Sequence, residues 1–233
     1  MTNECIIVGG GKSIAEALNS SSNLSLQPIL ASKFTILTNY SFKHFIGTFL
    51  CFYDRSFYHQ KIEEIKNNPN IYEELKTLPL IIGVNHNGVE EFKLPNTILV
   101  KKSDNYEREK ALTKGWYTGA LTGVFALNLA SFLLDYKGKI FLLGYDWTKE
   151  GDTHYYEDVI HRGIGKTTLY KNNNPTHRFK YFAKEKELKI YNVSLQSSIE
   201  DFEKISYEKM YELLSKEEVN QEELREIIKN KII

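Results

Sequence analysis

Short apolar runs punctuate the chain at residues 4–8, 34–38, 48–53, 80–84, 97–101, 139–143 and 188–193, each of strand length. Between several of them apolar positions recur every three or four residues, over 13–19, 58–66, 118–136 and 175–187, and this spacing predicts helices. Strands alternating with helices imply crossover connections. The predicted class is therefore α/β, a mostly parallel sheet with flanking helices. From residue 206 onward the chain is charged and helical in pattern. Met210, Leu213, Leu214, Val219, Leu224, Ile227 and Ile228 form an imperfect apolar stripe along it. We read residues 1–203 as one α/β domain and 204–233 as a C-terminal helical appendage. The stripe is expected to pack against the domain; a homo-oligomer or membrane contact is the alternative.

Composition narrows the partners. Thirty basic residues balance 30 acidic ones in 233, and no Lys/Arg block tracks a continuous face, so nucleic acid is not an expected partner. Cys5 and Cys51 both fall inside apolar runs, as buried thiols of a reducing compartment do, and the expected location is cytoplasmic. Met1 leads directly into a strand-like segment rather than a basic and apolar stretch, so a secretion signal is not expected. The 118–136 segment is the longest apolar stretch. It carries Thr122, Gly123, Asn128, Ser131 and Asp135, and reads as a buried helix rather than a transmembrane one.

Candidate chemistry begins at Gly9-Gly10-Gly11-Lys12-Ser13, where a strand passes through three glycines into a helix start. Glycine admits close backbone approach, and a helix start presents free N–H groups, so the turn suits a phosphate; a plain turn is the competing reading. A Walker loop would need glycine at Ile6, and the dinucleotide fingerprint would need glycine or alanine at Ile14. The second strand ends in Thr38-Asn39 rather than a ribose-binding carboxylate, which disfavours NAD. Gly163-Ile164-Gly165-Lys166-Thr167 is a decoy, since no strand leads into it.

Asn39 can read a base edge or simply make a turn. Thr118 and Gly119 open the long apolar segment, with Thr118 suited to an N-cap, and Gly119 and Gly123 suited alternatively to close helix packing. Gly144-Tyr145-Asp146 places a carboxylate at a strand's C-terminal end, where open α/β sheets gather ligands; a structural aspartate bonding loop amides is the alternative. The stretch 144–174 has no clear periodicity and reads as a binding loop. Within it His154 and His161 are candidate general bases, flanked by Asp152, Glu157 and Asp158.

Taken in order, Gly-Gly-Gly-Lys-Ser, Thr38-Asn39, Phe52-Tyr53-Asp54, Thr118-Gly119 and Leu143-Gly144-Tyr145-Asp146 resemble the family 42 glycosyltransferases, which are bacterial sialyltransferases. They are equally similar to archaeal MptE-like 6-hydroxymethylpterin diphosphokinases and to phage proteins of the same superfamily. The resemblance spans about residues 4 to 200. It implies a Rossmann-like sheet with a nucleotide held by Gly9, Gly10, Gly11, Lys12, Ser13, Asn39, Thr118 and Gly119. Lys12 takes the place of the usual proline and adds a cation. The sialyltransferases carry an arginine shortly before Ser-Gly, where this chain reads Lys114-Gly115-Trp116-Tyr117, and a catalytic histidine near 171–174, where this chain has none. The paired histidines His154 and His161 instead resemble the phage branch.

Three functions are compatible with these residues. The first is sugar transfer from a nucleotide-sugar donor, with His154 or His161 as base. The second is pyrophosphoryl transfer from ATP to a pterin-type alcohol, with Asp146 and Asp152 holding magnesium. The third is a non-catalytic protein that sequesters a nucleotide. Asp146 separates the first two, since it would hold metal in the second and anchor a loop or acceptor in the first.

Overall fold

A computed structural model describes residues 2–19, 25–53, 76–85, 96–108, 111–147 and 178–233. Strand β1 (Glu4–Val8) leads into helix α1 (Ser13–Asn19), followed by α2 (Leu26–Ser32), β2 (Thr35–Thr38), β3 (Phe49–Phe52), β4 (Ile81–Val84) and β5 (Thr97–Val100). The short strands β6 (Lys102–Ser103) and β7 (Trp116–Tyr117) flank α3 (Ala111–Lys114). Next come α4 (Thr122–Leu133), β8 (Gly138–Leu143), β9 (Leu188–Val193), β10 (Glu203–Lys204), α5 (Tyr207–Leu213) and α6 (Gln221–Ile232).

Eight strands form one sheet in the order β10-β9-β8-β1-β2-β3-β4-β5, and β6 pairs with β7 separately. Every pairing among the described strands is parallel. This is a Rossmann-like α/β fold. Parallel strands need cover on both faces, and the apolar runs supply residues for both. Cys5, Ile7, Ile36, Cys51, Ile82, Ile140 and Leu142 join α4 in one core cluster. Ile6, Val8, Leu37, Leu50, Ile81, Phe141 and Leu143 pack with Ile14, Leu26 and Leu30 of α1 and α2 in the other. Gly83 lets the Phe52 ring lie flat on β4, since a Cβ there would fall 2.2 Å from the ring.

Helix α4 is buried almost all round, its polar Thr122, Asn128 and Ser131 included, as a helix that is apolar on most of its faces requires. No helix among the described residues is long and apolar enough to cross a membrane. Both cysteines are buried and unpaired, and burial pushes their thiols well up, so neither is a nucleophile.

The C-terminal helices are built into the domain. Met210 of α5 sits in the second cluster, and Leu224, Ile228 and Ile232 of α6 sit in the first beside α4. Lys139 Nζ binds Glu4 Oε1 at 2.9 Å and the Leu213 carbonyl at 2.8 Å, tying the end of α5 to the starts of β1 and β8. Gln221 Nε2 donates to the Ala31 and Lys33 carbonyls at the end of α2. The boundary read between 203 and 204 runs through β10, which extends the sheet beside β9.

Two sequence expectations change. Residues 118–121 are not helical, and α4 begins at Thr122. Over the described part of 175–187 the chain forms turns and a short 3-10 helix, Phe182–Lys184, in place of an α-helix. The helix expected over 58–66 lies outside the described residues.

Candidate functional site

Strand order reverses between β1 and β8: from β1 the chain builds outward to β5, then returns to lay β8 against the other side of β1. In open α/β sheets such a switch point leaves a crevice at the C-terminal strand ends, because the connections leave in opposite directions. The loops carrying the glycine turn and Asp146 exit there side by side. The Gly9 amide donates to the Leu143 carbonyl at 2.7 Å, and the Gly11 amide to the Gly144 carbonyl at 2.9 Å.

Asp146 is 8% exposed, and both its carboxylate oxygens are engaged by Ser13. Oδ2 accepts the Ser13 amide at 2.8 Å, and Oδ1 accepts the Ser13 hydroxyl at 2.5 Å. A carboxylate at the first residue of a helix is favoured by the exposed amides and the positive dipole end. The glycine turn is shaped around it: a Cβ on Gly11 would stand 2.5 Å from Asp146 Oδ2 and 2.7 Å from the Gly144 carbonyl. Gly144 itself has φ +70. Asp146 thus bonds the first amide of α1, and the Ser13 amide serves this carboxylate.

Asn39 meets Thr122, which was not among the expected site residues, across the edge. Thr122 Oγ1 donates to Asn39 Oδ1 at 3.2 Å and accepts the Tyr53 amide at 3.2 Å, joining the ends of β2 and β3 to the first residue of α4. Asn39 has φ +47, a conformation that asparagine tolerates better than most residues. Its Nδ2 donates to no described residue. Thr38 Oγ1 donates to the Val8 carbonyl at 2.8 Å, fixing the end of β2 against that of β1.

Thr118 does not cap the helix. Its hydroxyl accepts the Ala120 amide at 3.2 Å inside a turn in which Gly119 (φ +51) and Ala120 (φ +56) are both left-handed. The N-cap position falls to Leu121, whose side chain makes no capping bond. Arg178 Nη1 donates to the Gly119 carbonyl. Asn39, Ala120 and Trp147, three of the non-glycine residues with positive φ, all lie in the turns of this edge, the placement expected of a functional site.

Tyr145, which the sequence did not single out, is 2% exposed and donates its hydroxyl to the Gly123 carbonyl at 3.1 Å. Burial pushes its phenol well up, so it is a neutral donor. Gly123 serves this packing, since a Cβ there would lie 3.0 Å from the ring. Asn192 Nδ2 of β9 (3.1 Å) and Ser197 Oγ in the turn after it (2.7 Å) both donate to the Tyr145 carbonyl, and the Ser198 amide donates to that of Asp146 at 2.8 Å. Only the three-dimensional neighbourhood reveals these partners.

The structure therefore brings together Gly9, Gly10, Gly11, Lys12, Ser13 and Asp146 on one side, and Asn39 with the start of α4 on the other. His154, His161 and Asp152 lie outside the described residues, as does Asp54. Among the described residues no three His, Cys, Asp or Glu side chains form a metal-binding group. Compared with family models, with curated proteins and with solved structures, the chain matches none.

Proposed function

We propose that the chain is a nucleotide-dependent transferase that moves a sugar from a nucleotide-sugar donor to an acceptor hydroxyl. The observation that carries this reading is the convergence at the β1/β8 switch point of the glycine turn, Asn39 and the start of α4. A nucleotide needs such a mixed surface. The Asn39 amide, whose Nδ2 donates to no described residue, suits the base or ribose, while the Lys12 cation complements phosphate charge.

In the transfer, the acceptor oxygen attacks the anomeric carbon, the bond to the donor phosphate breaks, and the nucleotide departs as an anion. A histidine, His154 or His161, takes the acceptor proton. Positive groups around the leaving phosphate lower the barrier because charge accumulates there as the bond breaks.

Asp146 favours this reading over pyrophosphoryl transfer with magnesium. Its two oxygens are satisfied by the Ser13 amide and hydroxyl, the arrangement of a loop anchor rather than of a carboxylate held ready for a metal. The test is calorimetric titration with nucleoside mono- and diphosphates, then incubation with the matching nucleotide-sugars. Binding of one nucleotide and release of free nucleotide from its sugar conjugate are expected. A protein that binds a nucleotide and turns none over is a sequestering protein, and one that binds none lacks the proposed site.

A further inference from the structure

Tyr145 touches three of the segments that border the crevice. Its ring lies against the exit of β1, where a Cβ on Gly9 would stand 3.1 Å from Cδ2. Its hydroxyl holds the Gly123 carbonyl in the first turn of α4 at 3.1 Å. Its own carbonyl is held by Asn192 Nδ2 of β9 and by Ser197 Oγ just beyond it. The ring also meets Phe179 edge-on at 6.1 Å, and Phe179 follows Arg178, which binds the Gly119 carbonyl. Its neighbour Asp146 grips the first residue of α1. Side chains of adjacent residues point to opposite faces at a strand end, so Tyr145 reaches α4 on one face while Asp146 reaches α1 on the other.

We propose that Tyr145 is a positioning residue, whose hydroxyl and ring fix the first turn of α4 relative to the glycine turn and so set the width of the crevice. This rests on the nucleotide reading above. Phenylalanine would supply the ring for packing without a buried hydroxyl to satisfy. Here the hydroxyl is spent on a helix carbonyl that already belongs to the ladder of α4, where it adds orientation rather than satisfying an orphan group. Gly123 reinforces the point: the only side-chain-free residue in α4 is the one facing this ring.

Tyr145→Phe keeps the ring and removes the hydroxyl. In the full chain, amide exchange at Phe125, Ala126 and Leu127 is expected to quicken roughly threefold or more, with β8 and β9 exchanging at wild-type rates. Unchanged exchange in α4 overturns the positioning role, whatever the protein binds. Affinity for whichever of CMP, UMP, AMP and GMP the wild type binds is expected to fall roughly three- to tenfold, the worth of one neutral hydrogen bond, well below both unfolding midpoints. Unchanged affinity also overturns it, because a purely structural hydroxyl would lower stability and leave binding alone. Gly123→Ala, which presses a methyl against the ring, is expected to shift affinity the same way if Tyr145→Phe folds poorly. If the wild type binds none of the four, the nucleotide reading fails on its own, and the exchange rates still decide the role of Tyr145.

Discussion

Asp146 grips Ser13 with both carboxylate oxygens, at 2.8 Å to the amide and 2.5 Å to the hydroxyl, across 133 residues of chain. The contact joins the two loops that leave the sheet at its switch point, and it places a protein-borne negative charge at the start of α1. Any phosphate bound near the glycine turn must share this neighbourhood with that charge, which gives Lys12 a reason to be cationic.

Asp146→Ala is expected to destabilise the fold by about 2–3 kcal/mol, since hydrogen bonds to an ionised group are the stronger kind and the removal leaves a buried amide unpaired. Ser13→Ala, which keeps the amide bond, is expected to lose about half as much. Urea denaturation of the two single variants and the double variant measures the coupling; additive losses would show that the contact contributes nothing.

Gly11→Val and Gly10→Val are expected to differ. A side chain at 11 collides with Asp146 and the Gly144 carbonyl, so this variant is expected to lose about 1–3 kcal/mol of stability as well as binding. Gly10 is half-buried on the same turn, and there we expect nucleotide affinity to fall while the unfolding midpoint stays near wild type. Thermal melts paired with calorimetry separate the two effects.

His154→Ala or His161→Ala is expected to lower turnover by about 10²- to 10⁴-fold with nucleotide affinity nearly unchanged, as loss of a general base does. If both variants turn over at the wild-type rate, the base lies elsewhere, and His177 and Asp146 are the next residues to replace.

Alkaline pH is expected to weaken the fold from about pH 9 upward. Burial raises the Cys5 and Cys51 thiols, and it raises the Tyr145 phenol; Tyr136 is pushed up to about 12. A folded pKa above the unfolded value means that the unfolded chain releases its proton first. The stability these groups contribute is complete below their ordinary values, near 8.5 for cysteine and 10 for tyrosine, and drains away as pH rises toward the folded ones. Urea midpoints between pH 7 and 11 check this; a flat profile would show that these side chains are as exposed when folded as when unfolded.

Deleting residues 218–233 is expected to yield insoluble protein. Leu224, Ile228 and Ile232 are buried beside α4, and burial of each stabilises by about 1.5–3 kcal/mol, a sum comparable with the whole stability of a typical domain. Expression and circular dichroism of the shortened chain test it.

The seven strands with four or more residues were legible because each is an apolar run, buried on both faces in all but the edge strand β5, a pattern that needs no partner to be recognised. The two-residue strands β6, β7 and β10 are too short to carry any period. Helix α2 was missed because Pro28 sits in its first turn, a position that tolerates proline but reads as a breaker. The start of α4 was misplaced because Gly119 and Ala120 turn left-handed, and nothing in an alanine announces that. Glycine turn, Asn39 and Asp146 were each recognisable as strand-end residues. Their contacts were not, since Ser13 and Asp146, or Asn39 and Thr122, are brought together only by strand order.

That order also governs how the protein can assemble as it is made. Strand β1 lies between β2 and β8, so one of its edges is completed at once while the other waits for residues 138–143. At ribosomal speeds of about 5–20 residues per second, some 130 residues of waiting amounts to roughly six to twenty-six seconds. During that interval the nascent chain carries an open apolar edge, Cys5 to Val8, suited to pairing with any other strand. A chaperone that shields this edge, or slow growth at low temperature, should therefore raise the yield of soluble protein more than any substitution on its finished surface.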